Sequence, residues 1–357
     1  MRYIIHGAGA VGCLVGGLLA ANGAEVIFIG RPEHAEAINQ RGVKILAPQG
    51  SSEKDIELTN VKAVVTPHAI NPQSDDVIML AVKSAQVAHS AQVLREVFNE
   101  RTPVFCLQNG IRSEEMVAQR FLSVYGLMVG LGVTLVEPGV VVNTFNRYFA
   151  LGNYPLGCDE LVQTVAAHLA HPSFSVSTHN NVMSVKWAKL ILNLNNAFLA
   201  VTDCYVQLAR VLPKFSSFMA DIYAEGMHVL DVAGISTEEP GNPFDLKAIV
   251  AHLRSVGESA PDEEKIREAR ELPEHLRAHV STWFDLKNQR GETEVSYLTG
   301  EIILLGEKYG VPTPYNSVLL RVAEQMAAEK QLPGRYTIEE LEEMVQQKRL
   351  EIYSAGE

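Results

Sequence analysis

The sequence predicts two domains, an α/β domain built on a doubly wound sheet and then an all-helical domain. The length of 357 residues favours two domains of ordinary size. Short apolar strands alternate with helices at the start of the chain, whereas helical periodicity dominates from residue 181 onward. We expect the first domain at residues 1–180, the second at 181–332, and an extra C-terminal helix with its tail at 333–357.

The first three elements form a strand, helix and strand unit. Residues 3–6 are a short apolar strand, residues 10–22 an Ala/Leu/Gly helix, and residues 24–29 a second strand after an Asn-Gly break. Such a unit of about 30 residues is what a parallel sheet requires. The stretches "DDVIMLAV", "SAQVAHSAQVLREVF" and "TPVFCLQNG" continue the alternation, and "GLGVTLVEPGVVVNTFNRYFALG" predicts strands that extend the sheet in antiparallel fashion.

Two segments stand apart from these cores. Residues 255–275 are charged and contain prolines, which predicts a surface insertion, with a lid over a cleft as the alternative. Thr337 precedes Glu340 by three residues, a capping-box pattern that predicts an additional helix near the C-terminus.

Composition excludes several classes of function. A formal charge of −12 and a pI near 5.4 argue against nucleic-acid binding, which needs clustered basic residues. The apolar stretch at 125–136 is too short to cross a bilayer, and the N-terminus has no basic leader, so we expect a cytoplasmic protein with no membrane contact. The four cysteines lack paired spacing, which predicts free thiols and no metal site.

A glycine-rich turn at the start of the chain predicts dinucleotide binding. Gly7, Gly9 and Gly12, with Ala10 and Val11 between them, spell G-x-G-x-x-G between a strand and a helix. The first glycine permits a tight turn, the second lets the backbone approach a pyrophosphate, and the third allows close packing of helix on strand. The alternative is a tight turn with no ligand, but this context favours a Rossmann-like fold.

The residue after the second strand indicates the cofactor. Acidic side chains at this position bind the ribose of NAD, whereas an arginine accommodates the 2′-phosphate of NADP. The stretch "FIGRPEH" places Arg31 there and favours NADP, although Glu33 nearby leaves ribose binding as an alternative.

A polar stripe interrupts an apolar helix in the second domain. In "KWAKLILNLNN", Lys189, Asn193 and Asn196 stand at positions i, i+4 and i+7, and therefore share one helix face. One lysine and two amides therefore converge on one candidate site. The alternative for Lys189 is a surface lysine whose stem covers apolar residues.

The ordered set of motifs resembles the ketopantoate reductases (2-dehydropantoate 2-reductases) over roughly residues 1–330. The likeness rests on "GAGAVG", "AVKSAQ" with Lys83, "QNG" with Asn109, "EPGVV", "KWAKLILN" with Lys189 and Asn193, "STWFDL" with Ser281, "TEVSYLTGEI" with Glu294, and "YGVPTP". The resemblance implies NADPH-dependent reduction of a 2-oxo acid to a 2-hydroxy acid, ketopantoate to pantoate, as in pantothenate biosynthesis. It also implies a Rossmann domain joined to a helical domain, and a possible homodimer.

The resemblance also assigns roles to residues. It implies that Lys189 donates the proton and that the asparagines Asn193 and Asn196 bind substrate oxygens. The remaining roles it implies are Lys83 for the cofactor, Asn109 for cofactor and substrate, Ser281 for the substrate carboxylate, and Glu294 for the nicotinamide-side ribose or the catalytic lysine. Because the family's lysine follows the tryptophan by two residues, the pattern selects Lys189 and leaves Lys186 as a helix-end charge. Asn195 lies outside the polar stripe and is expected to be a bystander.

The chain departs from the family pattern in the region expected to bind substrate. The second asparagine normally follows the lysine by eight residues, but Ala197 stands there and the amide comes at Asn196. One extra residue lies between Asp285 and Glu294. These departures keep a different 2-oxo acid, bulkier or aromatic, open as the substrate. A protein that senses NADPH without turnover is the alternative from another class, and the polar stripe argues against it.

Overall fold

The computed structural model describes residues 1–47 and 52–354. No helix in these two ranges is both long enough and apolar enough to cross a membrane. The chain divides into two compact units, one of residues 1–186 with 238–241, the other of residues 187–237 with 242–357. We call them the sheet unit and the helical unit; the dividing point at residue 186 differs from the expected limit of 180.

The sheet unit is built on one mixed sheet. Its strands are β1 Arg2–His6, β2 Glu25–Ile29, β3 Val43–Leu46, β4 Ile56–Leu58, β5 Lys62–Val64, β6 Asp76–Leu80, β7 Val104–Cys106, β8 Val124–Glu137, β9 Val140–Asn153 and β10 Ser175–Thr178. Strands β5-β2-β1-β6-β7-β8 lie side by side and all run parallel. This is the doubly wound order of dinucleotide-binding sheets, in which β2 and β5 are added on one side of β1, and β6, β7 and β8 on the other.

The later strands extend that sheet, as the sequence predicts. β9 pairs antiparallel with β8 after the tight turn at Gly139, and β3 and β10 each pair parallel with β9. β4 closes the edge beside β3.

Helices cover both faces of the parallel strands. They are α1 Ala10–Ala21, α2 Pro32–Arg41, α3 Val87–Arg95, α4 Ser113–Ala118 and α5 Glu160–Leu169. Side chains of β1 alternate between the faces: Tyr3 and Ile5 pack in the core that contains α1, and Ile4 packs in the core that contains α3. Both faces are therefore buried, as parallel strands require.

The helical unit begins inside α6. Its helices are α6 Val182–Asn193, α7 Asn195–Val201, α8 Val206–Ala209, α9 Pro213–Val232, α10 Leu246–Glu258, α11 Glu263–Arg270, α12 Ser281–Lys287, α13 Thr299–Tyr309, α14 Pro314–Ala328 and α15 Ile338–Ser354. The segment expected to be a surface insertion forms the end of α10 and all of α11. That expectation was incomplete, because Ile266 and Ala269 are buried and the Tyr205 hydroxyl donates to the Ala269 carbonyl at 2.6 Å.

The additional helix at the C-terminus is α15. Thr337 and Glu340 form the expected capping box: the Glu340 amide donates to Thr337 Oγ1 at 3.2 Å, and the Thr337 amide donates to Glu340 Oε2 at 2.8 Å. The last three residues of the predicted tail, 355–357, lie outside the described residues.

Candidate active site

The glycine turn connects β1 to the N-terminus of α1. Gly7 has φ +117°, and a Cβ there would lie 2.7 Å from the Ala81 carbonyl carbon. A Cβ on Gly12 would lie 1.9 Å from the Gly7 carbonyl oxygen, so the helix packs as closely as the motif requires. A Cβ on Gly9, in contrast, would point into open space, with no atom within 4 Å. The turn therefore leaves room for a phosphate at its middle glycine, beside the amides that open α1 at Ala10 and Val11.

The other predicted cofactor residues of the sheet unit lie at the same edge. Arg31 follows β2, Lys83 follows β6, and Asn109 follows β7, so they flank the glycine turn at the carboxyl ends of neighbouring parallel strands. Gln108, which sequence reasoning missed, donates from Nε2 to the Leu80 and Val82 carbonyls at 2.7 and 3.0 Å. It fixes the ends of β6 and β7 to each other, at the edge where doubly wound sheets bind ligands.

Arg31 has two side-chain partners beside the glycine turn. Its Nε lies 3.2 Å from Glu33 Oε1, and both side chains are largely exposed. Its Nη2 lies 3.2 Å from Nε2 of His34, which is buried. The spacing of His34 in "RPEH" is compatible with such a contact, since residues three apart share a helix face.

His6 closes the same edge at the end of β1. Burial, with a smaller contribution from His89, lowers the pKa of His6 to about 4, so its imidazole is neutral near pH 7. Its Nδ1 is buried, and no described residue forms a hydrogen bond with it.

Lys186 requires a correction. The sequence suggested a charge at a helix end, but Lys186 is buried and its Nζ forms an ion pair with Oε1 of Glu114, which is also buried. Both residues belong to the sheet unit. The error arises because Glu114 lies 72 residues away in α4, and no local pattern links the two. The pair fixes the start of α6 to α4 within the sheet unit.

The polar stripe lies on α6 and α7. Lys189 and Asn193 are half-buried in α6, and Asn196 is buried in α7. The backbone departs from regular helix at Leu194, whose amide donates to the Ile191 carbonyl three residues back. The sequence predicted one uninterrupted helix for the stripe, whereas the structure divides it between two. Asn195, expected to be a bystander, is also buried.

The remaining predicted residues also lie in the helical unit. Ser281 is exposed at the first position of α12, which packs against α7. Glu294 precedes a 3-10 turn at Val295–Tyr297 that leads into α13. The helical unit thus brings the elements carrying Asn196 and Ser281 together.

Fold and site define a class: a dinucleotide-binding α/β unit joined to a helical unit that presents a lysine and amides, as in oxidoreductases of the Rossmann type. Family models described as "Ketopantoate reductase PanE/ApbA" and "Ketopantoate reductase PanE/ApbA C terminal" match residues 3–155 and 181–327. The chain belongs to the ketopantoate reductase family, whose members are NAD(P)H-dependent 2-oxo acid reductases.

Individual relatives agree with this assignment. A 2-dehydropantoate 2-reductase from Pyrococcus horikoshii is 36% identical over 320 residues, covering 89% of this chain and 95% of that protein. The crystal structure of a ketopantoate reductase from Ralstonia eutropha is 28% identical with a TM-score of 0.73, covering 92% and 99% of the two chains. A D-mandelate dehydrogenase bound to NADH and anilino(oxo)acetate is 25% identical with a TM-score of 0.71 and the same coverage.

Proposed function

We propose that this protein reduces a 2-oxo acid to a 2-hydroxy acid with NADPH, and that ketopantoate is the substrate. The observation that carries the proposal is the edge of the sheet unit where Arg31, Lys83 and Asn109 flank a glycine turn with open space at Gly9. Family membership supplies the reaction class.

The residues of the sheet unit fit a dinucleotide. The amides at the start of α1 would meet the pyrophosphate, Arg31 the 2′-phosphate, and Lys83 and Asn109 the nicotinamide half. When bound, the cofactor supplies the hydride. The D-mandelate dehydrogenase structure contains NADH, so the preference for NADPH proposed for this protein rests on Arg31.

The helical unit would supply the proton. As a hydride adds to C2 of the 2-oxo acid, the carbonyl π bond breaks and its oxygen takes a proton from the Lys189 ammonium, which leaves a 2-hydroxy acid and a neutral lysine. Asn193 and Asn196 would hold substrate oxygens, Ser281 the carboxylate, and Glu294 the nicotinamide-side ribose or the lysine itself. Donors placed at the developing oxyanion stabilise the transition state more than the ground state.

A bulkier or aromatic 2-oxo acid is the second candidate substrate. Ala197, at the position of the family's second asparagine, is buried and brings no polar group. Phe284 is 40% exposed one helical turn after Ser281, which offers apolar surface beside the expected carboxylate site. Apolar surface favours a hydrophobic substituent over the hydroxyl of ketopantoate.

The test follows nicotinamide absorbance with ketopantoate, phenylglyoxylate and small aliphatic 2-oxo acids, using wild type and Lys189→Ala. The proposal expects turnover with ketopantoate and its loss in the variant. Turnover with phenylglyoxylate alone would move the function to the second candidate. Nucleotide binding without oxidation on any acid would contradict both and favour a sensor of NADPH.

A further inference from the structure

His34 joins the glycine turn to Arg31. It lies in α2, is 5% exposed, and its Nδ1 is 2.8 Å from the Ala8 carbonyl oxygen inside the glycine turn. Its other nitrogen, Nε2, is 3.2 Å from Arg31 Nη2. Together these contacts form a chain from the Ala8 carbonyl through the imidazole to the guanidinium.

Chemistry fixes the direction of both hydrogen bonds. A carbonyl oxygen only accepts, so Nδ1 carries the proton and donates to Ala8. A guanidinium only donates, so Nε2 accepts from Arg31. His34 is therefore the neutral Nδ1–H tautomer, and it is the one side chain type that joins an acceptor on one side to a donor on the other across a rigid ring.

The packing around His34 leaves little freedom for this arrangement. A Cβ on Gly30 would lie 2.8 Å from Ala8 Cβ and 3.3 Å from His34 Cβ, so α2 lies against the glycine turn with no space between them. The Arg31 side chain is 76% exposed and is otherwise held by Glu33, an acidic residue that competes with a phosphate for the guanidinium. An exposed arginine has many rotamers, and a buried hydrogen-bond acceptor reduces their number.

We propose that His34 is a positioning residue that holds the Arg31 guanidinium at the 2′-phosphate site and thereby sets the preference for the phosphorylated dinucleotide. This inference rests on the part of the proposed function that assigns Arg31 to the 2′-phosphate. It does not depend on which 2-oxo acid is reduced, or on whether one is.

Two substitutions separate the two hydrogen bonds. The amide of His34→Asn occupies the position of Nδ1, keeps the bond to Ala8 and does not reach Arg31. The amide of His34→Gln occupies the position of Nε2, keeps an acceptor for Arg31 and loses the bond to Ala8. Calorimetry on the full chain then measures the binding affinities for adenosine 2′,5′-bisphosphate and adenosine 5′-monophosphate, which differ only in the 2′-phosphate.

We expect wild type to bind the bisphosphate more tightly than the monophosphate. The ratio of the two affinities should fall about tenfold in His34→Asn, whereas His34→Gln should retain most of it. Affinity for the monophosphate stays near the wild-type value in His34→Asn, because the bond to the glycine turn remains. Glu33→Gln is the matched control on the other partner, and its preference rises because the competing carboxylate is gone.

Two results overturn the inference while leaving the cofactor assignment intact. One is a full bisphosphate preference in His34→Asn combined with its loss in Arg31→Ala, since Arg31 then acts without His34. The other is an equal loss of affinity for both nucleotides in His34→Asn and His34→Gln, since His34 then only supports the glycine turn. An unchanged preference in Arg31→Ala refutes the assignment of Arg31 and the inference together. Because binding needs no 2-oxo acid, failure of the proposed reductase activity is read separately.

Discussion

Breaking the buried ion pair between Lys186 and Glu114 gives a sharp test of what holds the start of α6 against α4 within the sheet unit. Glu114 is fully buried and Lys186 is 3% exposed. Glu114 Oε2 has no hydrogen-bond partner among the described residues, so Lys186 is the main compensation for its charge. Cys106 lies close to this pair. Burial is the main cause that raises the pKa of the Cys106 thiol; the charge of Glu114 raises that pKa further, and the charge of Lys186 lowers it.

Removing one charge leaves the other buried without a partner. Glu114→Gln and Lys186→Met should each lower the free energy of unfolding by about 3–5 kcal/mol. For a unit of this size the midpoint of thermal unfolding then falls by roughly 6–20 °C. The double variant removes both charges, and we expect it to be more stable than either single variant.

The assay is urea and thermal unfolding followed by circular dichroism for wild type, both single variants and the double variant. Glu339→Gln is the control, because its ion pair with Lys214 is exposed and water replaces the lost contact. Single variants as stable as that control would refute the idea that the pair anchors α6. A double variant whose loss equals the sum of the single losses would show that the two charges are not coupled.

Three further predictions concern local structure. Gly12→Ala should unfold at a lower temperature than wild type, because its Cβ meets the Gly7 carbonyl. Gly9→Ala should keep the wild-type melting temperature and bind NADPH weakly in calorimetry. A destabilised Gly9→Ala that binds NADPH normally would contradict the proposed phosphate site. The pKa of His6 is about 4 in the folded protein and near 6.5 in the unfolded chain, so the free energy of unfolding decreases as the pH falls from 6.5 to 4. In urea unfolding, His6→Leu should make the free energy of unfolding depend less on pH over this range. An unchanged pH dependence would exclude His6 as its source. Thr337→Ala removes the cap of α15 and should lower the free energy of unfolding by about 1 kcal/mol, whereas Thr337→Ser should match wild type.

Local patterns predicted those features of the structure that depend on residues close in sequence. The glycine turn, the strands beside it and the capping box of α15 all follow from spacings of a few residues. Their partners are close in sequence, so the pattern contains the information needed.

Contacts between distant residues could not be predicted in this way. Lys186 meets Glu114 across 72 positions, and His34 meets Ala8 across 26. The irregular turn at Leu194 also has no glycine or proline to mark it. Charge in residues 255–275 suggested a surface excursion, because the buried pair of Ile266 and Ala269 at helical spacing is a weak signal among so many polar residues.

The proposed mechanism requires Lys189 to deliver the proton in 2-oxo acid reduction. The most direct measurement is the single-turnover rate of NADPH oxidation by Lys189→Ala with saturating 2-oxo acid, beside Lys265→Ala as a control on an exposed lysine of α11. We predict a loss of about 100-fold or more for Lys189→Ala, with NADPH affinity unchanged and with the control at the wild-type rate. An undiminished rate in Lys189→Ala would show that Lys189 is not the proton donor.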